Sequence, residues 1–262
     1  MIVETNIIHG GDLIEWRDNS GFVDKGFEAI SPSALDIQFS QAPRSMRVVQ
    51  KAKGTLLWHS SSAGPSRIVS GQATEEEVTA HPSKTFLIEG SVSDPTGRYL
   101  PRAFSFTLGN TAQHKVGLYR SPLGSNISKS GGIYGQISFD DNRIAAWALI
   151  ELTVTPSVGT PLPFVAQADA YGEFCLPLNR LPALTKDAPS PTYSAVLTVK
   201  ASTFANPDHL LNPDTLPSIQ IAHEKDSNGI SQFANSIDLA IAPGKVTKVV
   251  SPKHTRIVLK ST

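Results

Sequence analysis

Short runs in which apolar residues alternate with polar ones recur along most of the chain, and a period of two predicts strands with one buried face. In "IYGQISF" the residues Ile133, Gly135, Ile137 and Phe139 share a face. Phe104, Phe106 and Leu108 do so in "AFSFTL", as do Ala195, Leu197 and Val199 in "SAVLTVK". "DIQF", "FLIEG" and "RIVLK" repeat the pattern on a smaller scale. Glycine, proline, serine and asparagine fill the gaps; with 19 Gly and 19 Pro the chain is rich in turn formers and poor ground for long helices. Helical signal is limited to "TEEEV", where Thr74 and Glu77 fit a capping box, and to a single turn at "DHLL" within the excursion 206–218. The pattern predicts an all-β protein.

One phrase occurs twice. Asp94-Pro95-Thr96-Gly97-Arg98-Tyr99 and Asp169-Ala170-Tyr171-Gly172-Glu173-Phe174 share the order Asp, two residues, Gly, one residue, aromatic. The acid caps a turn through its side-chain oxygen, and the glycine takes a left-handed position. The aromatic then points into the core as the next strand begins. A repeated hairpin and a duplicated sandwich both account for the recurrence.

At 262 residues the chain exceeds the usual single domain, so two domains are expected. Hydrophobic residues at 40% and charged residues at 18% supply real cores and exclude a disordered chain. The 23 basic and 23 acidic side chains cancel, and no Lys/Arg-rich run occurs. Nucleic acid and polybasic membrane contact are therefore not expected. Cys175 is the only cysteine, so an internal disulfide is impossible, and its setting between Phe174 and Leu176 reads as a buried strand position. The first thirty residues lack a basic n-region and a continuous apolar h-region, so no signal peptide and synthesis in the cytoplasm are expected. The longest apolar run, "IAAWALI" from Ile144 to Ile150, is far short of the ~20 residues of a membrane span.

Candidate chemistry is sparse. The seven histidines, at 9, 59, 81, 114, 209, 223 and 254, form no zinc-binding pair. No Gly-x-Ser-x-Gly elbow occurs, and "WHSSSAG" reads as a polar loop. "APGKV" lacks the rest of a phosphate loop. The acidic turns "FDDNR" and "EKDSNG" lack a full calcium donor set and read as ordinary polar turns. No catalytic residue, metal or cofactor is expected, and the chain reads as a non-enzyme. Aromatic residues are the remaining binding candidates: Trp16, Phe22 and Phe27 around an N-terminal arm, and Trp58 at a strand end. The first three either anchor the arm to a neighbouring subunit or pack over their own domain. Trp147 reads as core.

The order "GQISFDDNRIAAWALIELT", "PLPFVAQADAYGEFCLPL", "TYSAVLTVKA" resembles the carboxypeptidase regulatory-like module, a transthyretin-like β-sandwich of about seven strands. The resemblance covers residues 132–202 and brings no zinc with it, because that chemistry belongs to a separate catalytic domain. The wider series "DPTGRYLPRAFSFTL", "VGLYRSPLG" and then the module is similar to proteins encoded with phage-like tails and contractile injection systems. That resemblance implies an arm at 1–25, a first sandwich at 26–110, a linker at 111–131, the module at 132–202, and an extension with further strands at 203–262. The extension either joins the second sandwich or reaches a partner. The implied function is a structural subunit that docks on other particle subunits or on further copies of itself. A sandwich that binds carbohydrate or a host protein is the alternative.

Overall fold

The computed structural model describes residues 10–22, 28–43, 46–59, 85–109, 113–127, 131–156, 159–179, 181–184, 190–225 and 230–261. The fold is all-β: two sandwiches in tandem, with two single 3-10 turns, Pro32–Ala34 and Pro213–Thr215, as the helical pieces among the described residues. No described helix is long and apolar enough to cross a membrane.

The first sandwich is built from β1 (Gly10–Asp18), β3 (Asp36–Gln41), β4 (Arg47–Lys51), β5 (Gly54–His59), β6 (Phe86–Ser93), β7 (Arg102–Leu108) and β8 (Gln113–Leu118). One sheet has the order β4-β5-β1-β8, with β1 and β8 parallel; the other is β3-β6-β7. Ile14, Trp16, Leu57, Val116 and Leu118 from the first sheet meet Ile88, Val92, Phe104 and Leu108 from the second in one core. Burying each such side chain contributes about 1.5–3 kcal/mol.

Two expectations about this half are corrected. The stretch expected as an N-terminal arm supplies β1, an inner strand flanked by β5 and β8. The stretch expected as a linker supplies β8. The capping box at Thr74 and Glu77 lies outside the described residues.

The second sandwich uses β9 (Gly132–Phe139), β10 (Leu149–Thr155), β11 (Leu162–Gln167), β12 (Glu173–Pro177) and β13 (Tyr193–Lys200) from the module region. Residues 203–262 add β14 (Ser218–Ile219), β15 (Ile221–Lys225), β16 (Ser231–Ala234), β17 (Ile237–Ile241), β18 (Val246–Lys248) and β19 (Ile257–Leu259). β14 and β17 both pair with β13, while β18 and β19 run parallel to β9, one after the other along its edge. The C-terminal strands thus complete both sheets of this sandwich. Its core joins Ile133, Ile137, Phe139, Phe174, Leu176, Ile257 and Leu259 of one sheet to Ile150, Leu152, Phe164, Leu197 and Val199 of the other.

The two halves are joined by named contacts. β2 (Gly21–Phe22), two residues beyond β1, pairs with β11 across the boundary. Leu100 packs with Ala146, Trp147, Leu210 and Leu211 in a small third core. Arg102, 1% exposed at the start of β7, donates to Gly117 O at 2.7 Å and to Asn212 Oδ1 and Asp214 Oδ2 at 2.5 Å each. The excursion 206–218 is therefore the clasp between the sandwiches, and the charge is tolerated inside because its hydrogen bonds are made.

Candidate functional site

The repeated phrase folds twice in the same way. In the first copy Asp94 Oδ1 accepts from the Thr96 amide (2.8 Å) and hydroxyl (2.7 Å), and Oδ2 accepts from the Tyr99 amide (3.1 Å). Burial alone would raise the Asp94 carboxyl, but those hydrogen bonds outweigh it and hold it below the usual carboxylate range. In the second copy Asp169 Oδ1 accepts from the amides of Tyr171 (2.8 Å) and Glu173 (2.9 Å). Gly97 and Gly172 sit at φ 71° and 73°, and Tyr99 and Phe174 turn inward. Tyr99 then meets an acid: its hydroxyl donates to Asp18 Oδ2 at 3.0 Å, beside Arg120 Nε at 2.8 Å on the same oxygen. Burial first, then the Asp18 charge and its hydrogen bond, push the Tyr99 phenol up to about 12.

Trp16 and Trp58, two of the aromatic residues singled out in the sequence, are not brought together. Trp16 is fully buried in the first core, donating Nε1–H to Thr55 Oγ1 at 2.9 Å and meeting Phe104 edge-on at 5.6 Å. Its indole is spent inside the fold, so the expected anchoring of a neighbour through Trp16 is corrected. Phe22 lies in β2, where its backbone pairs with Phe164. Phe27 lies outside the described residues. Trp58, 37% exposed, stands on the outer face of β5 and overhangs Gly11: a Cβ built at Gly11 would lie 3.3 Å from the indole Cδ1. Cys175 is buried in β12, and that burial pushes its thiol up.

One end of the second sandwich gathers features that no local signal announced. The turn 140–143 joins β9 to the segment leading into β10. Its Arg143 pairs with Asp141 (2.7 Å), lies over the Phe139 ring (5.1 Å to the centroid) and donates to Thr203 O at 2.6 Å. Arg143 thereby fastens the turn that carries Phe204. The turn 169–172 abuts the same place, because Gly172 accepts from the Ile137 amide at 2.8 Å and its Cα faces Ile144. The turn 169–172 and the turn fastened by Arg143 each carry an exposed aromatic side chain, Tyr171 at 68% and Phe204 at 91%.

Behind the 140–143 turn lies an open polar cleft of about 190 Å³, walled by that turn, β16 and the 251–256 hairpin. Its polar lining is Ser138, Asp140, Asn142, Ser231, His254, Thr255 and Arg256. The Ser231 hydroxyl and His254 Nε2 stand 3.4 Å apart. Asp140 Oδ1 accepts from the Ser261 amide at 3.1 Å. Among the described residues the Arg256 guanidinium, the Asn142 carboxamide and Asp140 Oδ2 have no partner. The calcium-like turn read from "FDDNR" uses one of its acids, Asp141, to hold Arg143, and no three His, Cys, Asp or Glu side chains converge among the described residues.

No protein-family model matches the chain, and no curated protein does. Among solved structures the chain is similar to an endo-fucoidan hydrolase of glycoside hydrolase family 107, at 11% identity over 93% of this chain and 27% of that one, with a TM-score of 0.21. A leucine-rich repeat protein from Bacteroides thetaiotaomicron VPI-5482 matches at 9% identity over 95% of this chain and 26% of that one, with a TM-score of 0.20. The chain spans about a quarter of the length of either structure.

Proposed function

We propose that this chain is a non-enzymatic structural subunit of a phage-like tail or contractile injection particle and acts by docking on other proteins. The particle setting rests on the resemblance of residues 94–108 and 132–202. The observation that carries the docking is the exposure of two large aromatic side chains on turns of the second sandwich, Tyr171 and Phe204, the turn of the latter fastened by Arg143. Both side chains are mostly exposed in this chain, and covering such a side chain fully on a partner stabilises by up to about 1.5–3 kcal/mol. The clasp around Arg102 supports the same reading, since fixed relative placement of two sandwiches suits a part that must present its contacts at set positions. The test is size-exclusion chromatography with purified sheath, tube and baseplate subunits, using wild type and the Tyr171→Ser/Phe204→Ser double variant. Wild type co-elutes with one of them and the variant does not; failure of wild type to co-elute with any of them counts against the proposal.

A second reading, a carbohydrate-binding module, draws on Trp58, whose indole overhangs Gly11 on an outer sheet face. A glycan array separates the two, since saturable glycan binding abolished by Trp58→Ala would favour this alternative.

A further inference from the structure

The polar cleft has unused recognition chemistry. Arg256 is half-buried and unpaired among the described residues, on a hairpin whose shape is set by other groups: Ser251 N donates to Arg256 O at 3.0 Å, and Val258 N to Ser251 Oγ at 3.0 Å. A planar guanidinium matches a carboxylate with two parallel hydrogen bonds. Asp140 stands in the same wall with one oxygen used and one open. It repels a doubly charged anion, but its open oxygen accepts an N–H from a ligand that also bears one carboxylate. An aspartate or glutamate within a peptide combines those two groups, the acid for Arg256 and a backbone amide for Asp140. The Asn142 carboxamide and the Thr255 hydroxyl offer further donors. A sugar acid suits the cleft less well: Phe139, the aromatic in the lining, is buried and its ring is covered by Arg143, so no face is available for a pyranose to stack on. The volume, about 190 Å³, is that of a side chain and a little backbone.

We infer that the cleft receives an acidic side chain, aspartate or glutamate, of a partner protein. The inference rests on the docking reading and names its anchoring contact.

The experiment is an amide-resolved NMR titration of the full chain with acetyl-Gly-Glu-Gly-amide, with the Gln analogue and glucuronate as the other arms. Saturable shifts are expected at Asn142, Thr255 and Arg256. The glutamine peptide, and the glutamate peptide on Arg256→Gln, should bind about tenfold more weakly, the size of one charge-assisted hydrogen bond. Asn142→Gly keeps the left-handed backbone at φ 68° and should weaken binding without disturbing the fold. Equal affinity for the two peptides, indifference to Arg256→Gln, tighter binding of glucuronate, or no saturable shift would each overturn the inference. The docking reading fails separately: an Arg256-dependent, glutamate-selective titration alongside no co-eluting particle subunit supports the cleft and removes the particle. Co-elution that persists while the titration is unselective removes the cleft alone.

Discussion

Arg102→Met isolates the clasp between the sandwiches. The guanidinium bridges Gly117 O in the first sandwich to Asn212 and Asp214 in the excursion that returns from the second. Methionine fills similar volume without charge, so the change removes hydrogen bonds and leaves little cavity. Charge-assisted hydrogen bonds contribute about 1.5–3 kcal/mol each, but they do not sum here. Asp214 is 56% exposed, so water screens its share toward the ~0–1 kcal/mol of a surface ion pair. Removing a buried cation also recovers part of its desolvation cost, while Gly117 O and Asn212 lose their donor. The net destabilisation is about 2–3 kcal/mol, roughly 4–12 °C in Tm for a chain of this size. Asp214→Ala should cost about 1 kcal/mol. Urea unfolding followed by tryptophan fluorescence measures the total, and limited proteolysis of the native protein reports whether residues 206–218 are released. A variant within about 0.5 kcal/mol of wild type, with no new cleavage in the excursion, would refute the assignment of Arg102 as the clasp.

Other predictions follow from the same geometry. Gly97→Ala, where nothing lies within 4 Å of the added Cβ, should cost only the left-handed strain of about 1–2 kcal/mol. Gly172→Ala in the sister turn should cost distinctly more, because its Cβ would lie 2.4 Å from Ile137 O; equal losses in paired melts would contradict this. Trp16→Ala should destabilise by about 3–5 kcal/mol and Trp58→Ala by about 1 kcal/mol or less, so similar denaturation midpoints for the two would refute the burial argument. The Tyr99 phenol, raised in the folded state, adds stability that is complete below its unfolded value near 10 and lost as pH rises toward about 12. Asp18→Asn should shrink that alkaline loss; an unchanged ultraviolet titration would count against the Tyr99–Asp18 contact.

The strand pattern was legible where inward positions are apolar throughout. Ile133, Ile137 and Phe139 are buried together in β9, as are Ala195, Leu197 and Val199 in β13. Both Asp-x-x-Gly-x-aromatic turns were legible too, because capping and left-handed glycine are local chemistry. β1 was hidden for a physical reason: its inward face is Asp12, Ile14, Trp16, Asp18, and the two acids break the apolar alternation. They are accommodated by distant partners, Asp12 by the Gly109 amide at 3.0 Å and Asp18 by Tyr99 and Arg120. Arg102 escaped notice likewise, since its carboxylate partner lies 112 residues away. The cleft is lined both by the turn after β9 and by the hairpin before β19, which pairs with β9 across more than a hundred residues of chain, and neither Asn142 nor Arg256 carries a signal of that meeting in its own surroundings.

The docking account is tested most directly by expressing the chain with an epitope tag in its own host and fractionating purified phage-tail-like particles on a density gradient. The account predicts the tag at a fixed ratio to tube protein across the particle peak, lost with Tyr171→Ser/Phe204→Ser. A tag confined to the soluble fraction, with particles assembled normally without it, would contradict the account.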